Sequence, residues 1–129
     1  MRNPKPGQLA LIDIYFYLDK SDLQGEIKKV LDSVSYFISN YPKHYFAIET
    51  HTDCRGDSIY NLGLSQRRAD SICAYIHRKH DVKNLKCIGK GESDPVNNCR
   101  CEGSYESKRC TEEEHQQNRR TVLKVVKKF

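Results

Sequence analysis

Eight apolar residues set the first constraint on this chain. Leu23, Ile27, Val30, Leu31, Val34, Phe37, Ile38 and Tyr41 lie at offsets 0, 4, 7, 8, 11, 14, 15 and 18, the spacing of one face of an α-helix. A helix with a single apolar face must be covered by a second layer, and the flanking segments read as strands able to supply it. Gln8 to Leu18 is rich in Leu, Ile, Tyr and Phe and reads as a buried strand with a break near Asp13. Tyr45 to Thr50 alternates in polarity, Lys86 to Lys90 reads as a third strand, and Arg120 to Val126 as a last one with Val122 and Val126 inward. Ser21 and Gln24 have capping-box spacing at the start of the first helix, and Asn40-Tyr41-Pro42 ends it. Ser58 to Leu64 reads as a short helical turn. Ser65 is the expected N-cap of a longer helix to about His80, carrying Ala69, Ile72, Cys73 and Ile76 at helical spacing. Thr111 to Gln117 reads as a short capped helix. The order β-α-β-α-β-(loop)-β predicts a helix-on-sheet α/β domain.

A length of 129 residues suits one domain. Residues 1–7 carry two prolines and a glycine and read as a linker, leaving 8–129 as the folded unit. Hydrophobic residues are 37% and mean hydropathy is −0.77, so the core is small and the surface polar. The net charge of +5 favours a polyanion, whether nucleic acid, anionic lipid or a cell-wall polymer. Lys and Arg are spread along the chain and form no recognised nucleic-acid module. No apolar run approaches the roughly 20 residues of a membrane helix, and Met1-Arg2-Asn3-Pro4 is not followed by the apolar region of a signal peptide. The chain is therefore expected to be cytosolic or a domain of a longer exported protein. Six cysteines argue for an oxidising compartment and allow 15 connectivities. Cys73 reads most simply as a small core residue. Cys99–Cys110 is one bridge that would staple the long segment from Ser93 to Arg109, with Cys101 reaching Cys54 or Cys87 or staying free. Cys99, Cys101, Cys110 and His115 also compose a zinc-ligand set, at a spacing that matches no common zinc module.

Chemistry concentrates between His51 and Ala69, where a strand end meets a helix start, a usual position for ligand sites. With Ser65 as N-cap, Arg67 and Arg68 stand in the first helical turn, where cations meet the positive end of the dipole at about 0.3–1 kcal/mol each. Asp53 lies on the tight turn before Gly56. Asp53 and Arg68 either clamp a ligand bearing both an ammonium and a carboxylate or pair with each other. A Cys54 nucleophile with His51 as base would be an enzyme, but the two stand three residues apart with no orienting third group. Nothing in the pattern calls for a cofactor.

The ordered motifs of this stretch resemble the OmpA-like C-terminal peptidoglycan-binding domain of the OmpA/Pal/MotB family. His51-Thr52-Asp53, Gly56, Tyr60-Asn61, Leu64-Ser65 and Arg68-Ala69 carry the resemblance, with Gly89-Lys90-Gly91-Glu92 and Asn118-Arg119-Arg120. It implies an α/β (α+β) sandwich with helices on a mixed four-stranded sheet. It also implies non-covalent binding of the peptidoglycan stem peptide, with Asp53 taking the ammonium and Arg68 the carboxylate of diaminopimelate. Thr52, Asn61 and Leu62 would be secondary contacts, as would Asp19 and Ser21 on the first turn. Arg119 or Arg120 would line the same pocket or serve as strand-end charges. The Cys-containing insert from Asn97 to Cys110 departs from the common pattern and looks like a variant in envelope proteins of bacteria with type IX secretion. The resemblance thus implies a periplasmic wall anchor within a larger outer-membrane-associated protein. Such a domain would meet other envelope proteins through its parent chain and would neither bind nucleic acid nor insert in the membrane. The alternatives are an envelope protein–protein interaction module of the same fold, or a Cys/His zinc-stabilised domain.

Overall fold

A computed structural model describes residues 3–14, 16, 20–101 and 110–129. Its elements are β1 (Leu9–Ile12), α1 (Gly25–Ser39), β2 (Tyr45–His51), α2 (Ser58–His80), β3 (Leu85–Gly91), α3 (Glu112–Asn118) and β4 (Thr121–Val126). The four strands form one mixed sheet in the order β1-β4-β2-β3. β4 pairs antiparallel with both β1 and β2, and β2 pairs parallel with β3. β2-α2-β3 is thus a parallel crossover unit, for which a helix is the usual link.

One sheet face carries the main core. Ile27, Leu31 and Ile38 of α1 and Ile72, Tyr75 and Ile76 of α2 pack on Phe46, Ile48, Leu123 and Val125. Each such side chain contributes roughly 1.5–3 kcal/mol by leaving water. The inward residues of β4 are therefore Leu123 and Val125, not Val122 and Val126. Register explains the correction: Leu123 lies opposite Ile48 and Val125 opposite Phe46, whereas Val122 lies opposite Glu49 on the other face. β4 is an interior strand and Val122 is also buried, so polarity alternation could not set its phase.

β1 stops after Ile12, and Ile14 N–H turns back to the Ile12 carbonyl at 2.9 Å. α1 starts at Gly25, and its N-cap Gln24 makes no side-chain capping bond, so the Ser21–Gln24 box does not form. The larger correction concerns α2. It is one helix from Ser58, capped by Asp57, whose carboxylate accepts from Ile59 N–H. Ser65, Arg67 and Arg68 are interior helical residues, and the dipole penalty assigned to a helix start does not arise.

Ser65 has another task. Its hydroxyl accepts from Gly91 N–H at 2.8 Å, and its carbonyl accepts the Thr50 hydroxyl at 2.6 Å. Gly89 lies so close to α2 that a Cβ there would overlap the backbone of Ser65 and Gln66. These contacts seat α2 directly on β2 and β3. All six cysteines are paired: Cys54–Cys101, Cys73–Cys87 and Cys99–Cys110. Cys73 is thus not merely a core filler; it joins α2 to β3.

Candidate functional site

The β2–β3 pairing is irregular at His51. The β2–β3 register shifts between Thr50 and His51, an irregularity of the kind that re-aims a strand end. His51 N–H then bonds the Arg120 carbonyl at 2.8 Å and Thr52 N–H the Gly91 carbonyl at 2.9 Å. The segment carrying Asp53 is thereby held between β3 and β4, above a cavity of about 610 Å³. Asp53, Arg55, Asn61, Arg68, Arg119 and Arg120 are among its wall residues, with Phe16 and Tyr60 supplying aromatic surface.

Asp53 is held from several sides. Its carboxylate accepts Arg55 N–H at 2.9 Å, the Arg55 guanidinium at 2.8 Å and the Arg119 guanidinium at 2.7 Å. Both arginines also reach Glu112, at 2.9 and 2.7 Å. Asp53, Arg55, Glu112 and Arg119 thus close a ring of two acids and two bases. Burial works against the Asp53 charge, but the bonds from Arg55 and Arg119 outweigh it and hold the carboxyl below its usual range. Both arginines are held above theirs by the two acids. Asp53 is therefore ionised at neutral pH.

Arg68 is placed differently. Its Nε donates to the Lys20 carbonyl at 2.8 Å, and its guanidinium carbon lies 4.9 Å from the Phe16 ring centre, within cation–π range. Among the described residues the ion pairs of Asp53 go to Arg55 and Arg119, so of the two readings of Asp53 and Arg68 the direct pair does not form.

Thr52 and Asn61 line the cavity and also build it. The Thr52 hydroxyl donates to the Asp53 carbonyl at 3.0 Å. The Asn61 amide donates to the Arg55 carbonyl at 2.9 Å and to Glu92 at 3.2 Å, tying the site turn to the Gly-x-Gly-Glu segment. Leu62 is exposed and outside the cavity wall, and Ser21 is half-buried and also outside it. Asp19 lies outside the described residues. The Asn-Arg-Arg motif divides its labour: Asn118 accepts Val96 N–H at 2.8 Å, Arg119 grips Asp53, and Arg120 donates to the Asp94 carbonyl at 2.8 Å.

His51 is buried in the same wall, and among the described residues neither ring nitrogen has a hydrogen-bond partner. Burial, with repulsion from Arg120 and Lys90, outweighs the attraction of Asp94 and lowers its pKa to about 4. It is neutral at pH 7, so its 3.8 Å approach to Glu49 is not an ion pair. The Cys54 thiol of the nucleophile reading is spent in the bridge to Cys101.

Arg55 and Glu112 are the site residues that sequence reasoning missed. Arg55 stands two positions past Asp53, where an Asp carboxylate commonly takes a backbone N–H, and that was its only signal. Glu112 follows the Thr111 cap, where an acid also suits a helix start.

Comparison with known proteins agrees with this architecture. The peptidoglycan-associated lipoprotein of Haemophilus influenzae is 36% identical over 84 residues, covering 64% of this chain and 55% of the relative. The chain spans about half the length of the curated relatives it matches. The crystal structure of the peptidoglycan-associated lipoprotein from Burkholderia pseudomallei superposes with a TM-score of 0.64 at 25% identity, covering 88% of this chain and 86% of the other. The cell wall anchor of the type VI secretion system from Pseudomonas aeruginosa shares the fold, with a TM-score of 0.68 at 20% identity and coverage of 92% and 78%. The OmpA family model matches residues 15–109, well over half of the chain, and the chain belongs to the OmpA family.

Proposed function

We propose that this domain anchors a larger envelope protein to the cell wall by gripping the diaminopimelate of the peptidoglycan stem peptide. One observation carries the reading: Asp53 of the His-Thr-Asp motif and Arg68 of the Arg-Ala motif, an acid and a base, stand in the wall of one cavity. The free end of diaminopimelate carries an ammonium and a carboxylate on one carbon. Asp53 accepts the ammonium, and Arg68 offers the carboxylate a planar two-pronged donor. The ring with Arg55, Glu112 and Arg119 keeps Asp53 charged and oriented before the ligand arrives. Binding is non-covalent and no catalytic step is proposed. The names of the relatives, a peptidoglycan-associated lipoprotein and a cell wall anchor, support the same direction.

Three disulfides suit the periplasm, and among the described residues no helix is long and apolar enough to cross a membrane. Residues 8–129 would be the anchoring domain and 1–7 its linker. The Cys-containing insert before Asn118 supports a narrower assignment, to an envelope component of bacteria with type IX secretion. A second reading has its own observation. The Asp53 carboxylate is already engaged by two arginines, as suits a protein–protein interaction module of the same fold without a wall ligand.

Calorimetric titration with a diaminopimelate-containing stem peptide separates the two. Saturable binding is expected, at least about tenfold weaker in Asp53→Ala and in Arg68→Ala with circular dichroism unchanged, since a charge-assisted hydrogen bond contributes about 1.5–3 kcal/mol. A lysine-containing peptide keeps the ammonium and lacks the second carboxylate, so it should bind more weakly to the wild type but equally to Arg68→Ala. A folded wild type that binds neither peptide would leave the interaction module as the reading.

A further inference from the structure

Outside the cavity, four metal-ligating side chains from three segments converge. Cys54 follows the Asp53 turn, Cys99 and Cys101 lie on the segment after β3, and His115 sits on α3. One sulfur or nitrogen from each falls within 4.8 Å of all the others. Cys54, Cys99 and His115 are buried and Cys101 half-buried.

The distances between groups not bonded to each other carry the argument. Cys54 Sγ lies 3.8 Å from Cys99 Sγ, and Cys99 Sγ lies 3.5 Å from His115 Nδ1. A tetrahedral zinc ion with bonds of about 2.3 Å to sulfur and 2.0–2.1 Å to nitrogen requires edges of about 3.8 Å and 3.5 Å. The supports of this cluster include side chains independent of the disulfides. Asn97 donates to the Glu114 carbonyl at 3.0 Å and accepts Cys99 N–H at 3.0 Å. Asn118 donates to Asn97 at 3.0 Å and accepts Val96 N–H at 2.8 Å. The segment carrying Cys99 is thereby held on the helix carrying His115 without help from a sulfur–sulfur bond.

We infer that the thiol form of this chain binds one zinc ion through Cys54, Cys99, Cys101 and His115. Three thiols lose their protons to solvent as three Zn–S bonds form, and neutral His115 gives its nitrogen lone pair. No electron moves, because a newly made chain carries thiols. The site and the Cys54–Cys101 and Cys99–Cys110 bridges use the same sulfurs, so zinc occupancy and those bridges exclude each other. This set differs from the sequence-based one: Cys54 replaces Cys110.

The test is titration of the full chain with cobalt(II), then zinc(II), in a phosphine reductant. One equivalent of cobalt should give the visible bands of a tetrahedral thiolate site, and one equivalent of zinc should remove them. Cys110→Ser should retain the site, as should Cys73→Ser. Cys54→Ser and His115→Ala should each weaken binding by more than about a hundredfold. The oxidised chain should give no bands. A reduced wild type without a one-to-one tetrahedral complex, whether folded or not, would overturn the inference. So would loss of the site in Cys110→Ser with retention in Cys54→Ser, or equal binding by the oxidised chain.

Discussion

Among single residues, His51 shows how a motif position can be dictated by burial. Its ring fills the wall beside Asp53 with both nitrogens unpartnered among the described residues, a cost tolerated only for the neutral form. Its pKa is about 4 in the fold, against an ordinary value of 6.5 for histidine. A lowered histidine pKa means that the unfolded chain takes up the proton first. Stability should therefore fall as pH drops from about 6.5 to about 4, by roughly 3 kcal/mol in all, and change little below that on account of His51. Asp53 acts in the same sense, its folded pKa also being depressed, and its contribution is lost only at still lower pH. Urea unfolding at stepped pH should show the His51 decline in the wild type and not in His51→Phe. An equal decline in both would assign it elsewhere.

At the element scale, the α2–β3 contact is the tightest constraint on the site. Gly89 lets the strand meet the helix backbone, and Gln66 accepts Gly89 N–H at 2.9 Å. Gly89→Ala should push the two apart and cost about 3 kcal/mol, at the upper end of ordinary overpacking, read as a lower urea midpoint. The phase of β4 makes a second, sharper expectation. Leu123→Ala should cost about 3 kcal/mol, because Leu123 is buried against Ile48 and the helices. Val126→Ala at the half-buried strand end should cost under about 1 kcal/mol. Comparable losses would show that Val126 faces the core after all.

For the molecule as a whole, two of the three bridges are nested and the third, Cys99–Cys110, overlaps the outer one. Cys54–Cys101 spans 47 residues and encloses Cys73–Cys87, which spans 14. The outer bridge therefore closes a loop holding all of α2 and β3. In a chain-entropy account, removing the outer pair as Cys54→Ala with Cys101→Ala should cost about 4 kcal/mol, and removing the inner pair about 3 kcal/mol. Chemical denaturation of the two double variants would check that order. A larger loss from the inner pair would mean that its role is native-state packing of α2 on β3 rather than restriction of the unfolded chain.

Local chemistry made much of this protein readable from its residues alone. Helical spacing located α1, the Thr111 cap located α3, and the run of motifs identified the family and singled out Asp53 and Arg68. Those signals repeat within a few residues, so no knowledge of distant contacts is needed. Other features depend on neighbours far along the chain. Ser65 reads as a cap, yet α2 begins seven residues earlier at Ser58, because Asp57 caps it and Ser65 is required to bond Gly91. The phase of β4 followed from its place between β1 and β2. The pairing of Cys73 with Cys87 and the ring linking Asp53 to Arg119, 66 residues away, exist only once the sheet brings those segments together. What the sequence by itself determined is the family, most of the elements and two wall residues of the cavity. The tertiary structure decided which charges meet, which sulfurs join and which face of each strand is dry, because each of these depends on distances that only folding sets.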